Sequence, residues 1–168
     1  MIIRDEAPAD RAAVRALLIA AFGSPVETDL VDHLQRDGLT IASRVASDGA
    51  TIVGHIFFSP VSIVNDEAAF EVASLAPMAV APGRQRQGIG SALVVDGIER
   101  CRLAGWPAIV VVGHPEYYPR FGFQPAMVSH LANAFASGDA FMGLELTPGA
   151  LTKARGSVRY PAAFDELS

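Results

Sequence analysis

The chain is poor in the residues that would assign it to several large functional classes. Cysteine occurs once, as Cys101. No intrachain disulfide can form, and the residue stands in an apolar, helix-like stretch where any small hydrophobe would serve, so a reducing, cytoplasmic setting is expected. Basic residues are few: 13 Lys plus Arg against 18 Asp plus Glu leave a net charge of −5. No broad cationic surface is available, which argues against nucleic acid and anionic membrane as general partners. Long apolar runs are missing too. The longest, Ala16 to Phe22, falls far short of the ~20 residues that a bilayer-spanning helix needs. Arg4, Asp5 and Glu6 follow Met1-Ile2-Ile3 directly, where a secretory signal would continue apolar.

Several chemical signatures are absent as well. The four histidines, His33, His55, His114 and His130, show no spacing such as His-x3-His, and with one cysteine no metal site is expected. Ser59, Ser62 and Ser74 lack the Gly-x-Ser-x-Gly context of a nucleophile elbow. A P-loop would need Gly-Lys followed by Ser or Thr, but Gly88 and Gly90 are followed by Ile89 and Ser91. A dinucleotide fingerprint would need a small residue where Leu93 stands.

What remains is ample material for one core. A composition 51% apolar and 18% charged over 168 residues excludes global disorder and predicts a single domain spanning 1–168. After a short apolar start at Ile2 to Arg4, Pro8-Ala9-Asp10 opens a helix that presents Val14, Leu17, Leu18, Ala21 and Phe22 on one side and ends at Gly23. Ser24-Pro25-Val26-Glu27 reads as a capping box heading a second helix, with Leu30, Val31 and Leu34 on its inner face. Ile41, Ser43 and Val45 alternate before an Asp48-Gly49 turn, and Thr51 to Ile63 returns as a strand expected to bend or bulge at Pro60.

Asn65-Asp66-Glu67 signals another turn. Phe70 to Val80 makes a further strand in which Pro77 cannot donate a ladder bond, so a bulge or splay is expected near Ala76 and Pro77. A helix from about Gly88 to Ala104 carries Ile89, Leu93, Val94, Ile98 and Cys101 on one side and stops at Gly105. The β-branched run Ala108 to Val112 reads as a strand covered on both faces. Tyr117 to Phe121 predicts a helical turn, and Phe141 to Leu146 and Gly156 to Tyr160 predict two last strands. The tail residues Leu144, Leu146, Leu151 and Phe164 read as packing of those strands, which can also pair two copies into a homodimer.

The stretch richest in chemistry runs from Val80 to Gly90, between a predicted strand and a predicted helix. Unpaired backbone N–H groups at a helix start, reinforced by the helix dipole, form an anion site, and Gly88 and Gly90 let a phosphate approach where a Cβ would obstruct it. Arg84 and Arg86 add positive charge there.

Gln85-x-x-Gly88-x-Gly90 after a strand ending in Val80 resembles the acetyl-coenzyme A signature of the GNAT superfamily of N-acetyltransferases. A second motif stands in that family's order: the strand Ala108 to Val112, then Tyr118-Pro119-Arg120-Phe121-Gly122-Phe123. The likeness is nearest to a bacterial subgroup with a Gly-x-Pro-x-Tyr-Tyr-x-Arg-Phe-Gly-Phe segment, here Gly113 to Phe123. The asparagine that commonly follows the family's fifth strand is absent.

The resemblance implies an α/β (or α+β) fold, with a mixed, mostly antiparallel, six- to seven-stranded sheet flanked by helices and splayed at its centre. It implies acetyl-coenzyme A as cosubstrate, with the backbone of Met78, Ala79 and Val80 holding the acetyl carbonyl and pantetheine arm. The pyrophosphate would lie on Gln85, Arg86, Gln87, Gly88, Ile89, Gly90 and Ser91. Tyr118 would be the general acid that protonates the departing thiolate, a role that a phenol of pKa ~10 can fill at neutral pH. Glu27, Glu71, Glu116, His114 and a water chain all stand as candidates for the base. The implied reaction is direct transfer of acetyl to a primary amine in a ternary complex; the alternative is a catalytically silent acyl-coenzyme A-binding sensor or scaffold. The amine itself, small molecule or peptide, is not legible.

Overall fold

A computed structural model describes residues 1–135 and 138–167. In chain order the elements are β1 (Ile2–Asp5), α1 (Arg11–Phe22), α2 (Val26–Arg36), β2 (Ala42–Asp48), β3 (Thr51–Val64), β4 (Ala69–Val80), α3 (Ile89–Leu103), β5 (Ala108–Val112), β6 (Phe141–Glu145) and β7 (Ser157–Arg159). The strands form one seven-stranded sheet in the order β1-β2-β3-β4-β5-β6, with β7 joined to β3. Among the strand pairings of the described residues, only β4–β5 is parallel. This is the mixed, mostly antiparallel sheet flanked by helices that the resemblance implied.

The buried side chains explain the layers. On α3, Ile89, Leu93, Val94, Ile98 and Cys101 pack with Ile56, Phe58, Leu75, Ile109 and Val111 on one face of the sheet. On the other face Val14 and Leu18 of α1 and Leu30, Val31 and Leu34 of α2 pack on Val45, Phe57 and Ala79. Successive residues of β5 alternate between faces: Ile109 and Val111 lie beneath α3, while Ala108 and Val110 join Val128, Leu131 and Leu151 of the later chain. The unbroken apolar run of β5 thus follows from cover on both sides.

Electrostatics pins α3 in place. Arg44 on β2, nearly buried, donates to both carboxylate oxygens of Asp96 on α3 at 2.8 and 3.1 Å and to Asp5 on β1 at 2.8 Å. Removing Asp96 would leave a buried guanidinium with only one exposed partner.

The two prolines of the central strands behave differently. Between the pairs Phe58↔Leu75 and Ile56↔Met78, β4 advances one residue more than β3, so the bulge lies at Ala76-Pro77 on β4. Of the bend or bulge expected at Pro60, the bulge does not form. Pro60 pairs in register with Ala73 and sits where the opposite edge of β3 has no strand partner, between Phe58, the last residue paired with β2, and Ser62, the first paired with β7. A proline is tolerated beside such a gap, because the edge lacks a neighbour to receive a ladder bond.

Candidate active site

β4 and β5 are paired at only three positions, Ala73↔Ile109, Ser74↔Val110 and Leu75↔Val111. Beyond Leu75 the bulged end of β4 stays bonded to β3 but has no register with β5. Into this gap opens a cleft of about 1050 Å³. It is lined on the α3 side by Gly88, Ile89, Gly90, Ser91 and Tyr117, along β4 by Leu75 to Val80, and on the far side by Phe22, Glu27 and Leu30.

At the α3 end the backbone is shaped to receive an anion. Gly88 is the N-cap with φ +82°, and a Cβ there would meet nothing within 4 Å, so the space above it is open. Arg86, with φ +63°, is the one non-glycine residue in the left-handed region among the described residues. Such strain marks a loop held to a purpose by its surroundings. No side chain caps α3, and its first N–H groups face the cleft with the positive end of the helix dipole behind them. The Ser91 hydroxyl lies 3.2 Å from that of Tyr117, and the Arg120 guanidinium stacks 4.6 Å above the Tyr117 ring.

Elsewhere in the cleft, Tyr118 heads a short 3-10 turn, Tyr118–Phe121, packed edge to face with Tyr117 at 5.1 Å and Phe123 at 5.8 Å. It is 8% exposed, and burial, aided by the neighbouring Tyr117 phenol, pushes its pKa up to about 12. It therefore remains a proton donor across the neutral range. On the opposite wall Glu27 is half-buried, and that burial raises its carboxyl above the usual range against a smaller lowering effect of its own amide.

The cleft gathers Met78, Ala79, Val80, Gln85, Arg86, Gly88, Ile89, Gly90, Ser91 and Tyr118. Gln87 lies outside it and instead accepts a bond from Arg84 at 3.0 Å. Of the candidate bases, Glu27, His114 and Glu116 line the cleft, whereas Glu71 is exposed on β4 opposite Ser62, on the other side of the bulge. The expected capping box is not formed. Pro25 is the N-cap of α2, Ser24 accepts weakly from the Val26 amide at 3.4 Å, and Glu27 turns to its own amide, which leaves its carboxylate at the cleft. Sequence reasoning passed over Tyr117 and Arg120 as site residues, although both stand inside the second motif.

Comparison with known proteins places this geometry. The family model described as "Acetyltransferase (GNAT) domain" matches residues 3–126. The chain is 33% identical to the uncharacterized N-acetyltransferase YhbS of Escherichia coli K12 over 169 residues, covering 99% of this chain and all of the relative. The crystal structure of E. coli YhbS in complex with CoA superposes with a TM-score of 0.88 at 32% identity, covering 98% of this chain and 91% of the other. A GNAT acetyltransferase from Brucella melitensis in complex with acetyl-CoA gives a TM-score of 0.82 at 34% identity, covering 98% and 97%.

Proposed function

The chain belongs to the GNAT family of acetyltransferases, and we propose that it transfers the acetyl group of acetyl-coenzyme A to a primary amine by direct attack. The observation that carries this reading is the meeting, in one cleft, of a strand end with one open edge, an uncapped helix start and a buried phenol. An extended amide-containing arm fits the open edge of β4, and a pyrophosphate fits above Gly88, where a Cβ would meet only open space. The complexes of YhbS with CoA and of the Brucella protein with acetyl-CoA support the same assignment.

Bound there, acetyl-coenzyme A supplies an acetyl group activated as a thioester. The main chain of Met78, Ala79 and Val80 holds the acyl end, while the N–H groups from Gly88 to Ser91 carry the phosphate charge, with Arg86 close by. Glu27 takes a proton from the acceptor ammonium, and burial, which raises its pKa, makes its carboxylate the stronger base. The free amine forms a bond to the carbonyl carbon, the carbon–sulfur bond breaks, and Tyr118 gives its proton to sulfur. The proton that nitrogen sheds on becoming an amide returns through cleft solvent to the phenolate. The net products are amide, thiol and one proton.

The test is thiol release from acetyl-coenzyme A across a panel of primary amines, followed in single turnover for the parent and Tyr118→Phe. Amine-dependent release is expected, with the variant slower by ~10² to 10⁴ and its coenzyme affinity changed far less. Coenzyme binding with no release for any amine would make the protein a silent binding module instead.

A further inference from the structure

A second, smaller cavity of about 240 Å³ adjoins the cleft and shares Leu75, Ala76, Val112 and Leu167 with it. Its other walls are Ser74, Phe135, Tyr160 and Phe164. The three aromatic residues belong to the cluster packed under α1 and α2, whereas Gly88 to Ser91 lie at the start of α3 on the opposite face. The cleft starts on the α3 face and passes through the gap between β4 and β5 to the other face, where Phe22, Glu27 and Leu30 line it and the smaller cavity joins it. If the coenzyme takes the α3 side, the smaller cavity lies on the side from which the second reactant must come.

Its walls are preformed. Phe135 and Tyr160 pack edge to face at 4.9 Å and 85°, and Tyr160 and Phe164 lie 5.0 Å apart. Asn133 fixes two of the three: its side-chain amide donates to the Tyr160 hydroxyl at 2.9 Å, and its carbonyl oxygen accepts from the Phe135 amide at 2.9 Å. Among the described residues no charged side chain lines the cavity, so a second ammonium or a carboxylate entering it would lose its hydration without a partner there. An apolar cavity of about 150 Å³ is enough to hold benzene; this one accommodates a ring with a short arm.

We propose that this cavity receives the side chain of the acceptor, and that the acceptor class is the arylalkylamines: primary amines carrying an aromatic ring on a short alkyl arm. The assignment rests on the transferase reading above. With the ring seated among Phe135, Tyr160 and Phe164, a short arm directs the amine toward the junction at Ala76, where both cavities meet and where Glu27 lines the far wall of the cleft. Polyamines and multiply charged sugars are disfavoured by the uncharged lining.

The test uses the full-length protein with acetyl-coenzyme A and compares kcat/KM for phenethylamine, n-butylamine, spermidine and lysine. Phenethylamine is expected to lead n-butylamine by at least ~10-fold, in line with what apolar pockets achieve. A neutral ring lacking the amine, 2-phenylethanol, is expected to compete with the amine and not with acetyl-coenzyme A. Ser74→Leu, which fills the cavity, is expected to collapse the phenethylamine to n-butylamine ratio; the 2-phenylethanol competition in the parent stands if that variant does not fold. Equal rates for ring and alkyl amines, or no competition by the alcohol, would overturn the pocket assignment while leaving the transferase reading intact. Bound coenzyme with no turnover of any amine would overturn the transferase reading and this assignment with it.

Discussion

Gly113 packs its bare α-carbon against the ring of Tyr118: a Cβ at this position would lie 2.5 Å from Cε2 and 3.0 Å from Cδ2. The strand that exits the sheet at Val112 is thus pressed against the residue proposed to finish the reaction, and any side chain at 113 must move that ring. Gly113→Ala is expected to slow single-turnover acetyl transfer by an order of magnitude or more while coenzyme affinity holds, because the anion end of the cleft lies elsewhere. Stopped-flow thiol detection beside a coenzyme titration checks this. Equal losses in both would place Tyr118 in coenzyme binding.

At Gly88 the backbone sits at φ +82° and the space above it is open. Gly88→Asp combines strain with a negative charge where phosphate is proposed to lie. In the parent, acetyl-coenzyme A at a hundredfold excess over its dissociation constant should add ~2.7 kcal/mol to stability. The variant should show no such gain in a thermal-shift titration. An undiminished shift would move the pyrophosphate site away from α3.

Glu27 gives a pH signature. As a base it acts when deprotonated, and burial raises its pKa, so kcat/KM should climb with pH through a midpoint above the ordinary carboxylate range. Glu27→Gln should remove that limb and lower the neutral rate by ~10². A variant profile that superimposes on the parent's would move proton removal to His114 or Glu116.

His55 controls acid stability. It is fully buried, with Nε2 2.9 Å from the Ser43 hydroxyl, which itself donates to Glu6 at 2.7 Å. Since the serine proton goes to Glu6, the imidazole N–H donates to Ser43, and Nδ1 is left without a partner. Burial, with the nearby charge of Arg11, pushes its pKa down to about 3. The unfolded chain takes up the proton near ~6.5 and the folded chain does not until about 3. Stability from this residue is therefore lost as pH falls through that window, by up to ~1.4 kcal/mol per pH unit. Urea unfolding of parent and His55→Gln between pH 7 and 4 should give a difference that changes with pH; a constant difference would refute the account.

Cys101 lies fully buried on the inner face of α3, and burial pushes its thiol up to about 12. Thiol reagents should modify it only as fast as the protein unfolds, and Cys101→Ala should retain turnover. Loss of activity in a folded variant would point to a covalent thioester route.

The parts of the site legible in the sequence were those written in consecutive residues. Gln85, Arg86 and Gly88 to Ser91 stand in one short stretch and reach the cleft together, as Tyr118 does from the second stretch, and the bulge at Ala76-Pro77 follows from the missing amide of one proline. At Pro60 no bulge follows, since whether a proline disturbs a sheet depends on which neighbour stands beside it, and there the edge of β3 lies open between its pairings with β2 and β7, strands far apart in sequence. Glu27 was misread because Ser24-x-x-Glu27 matches a capping pattern by spacing alone, while the N-cap falls on Pro25. Phe135, Tyr160 and Phe164 show no periodicity; only tertiary packing brings them together.

The pairing of β7 with the last residues of β3, from Ser62 to Val64, bears on how such a protein diversifies. The α3-side walls of the cleft come mostly from one stretch, Leu75 to Arg120, inside the segment matched by the family model, whereas the aromatic walls of the smaller cavity are Phe135, Tyr160 and Phe164, beyond it. On the proposed division of labour, acceptor preference can diverge by substitution after residue 126 while the thioester machinery is inherited intact. Grafting that tail between relatives becomes a way to exchange one amine for another.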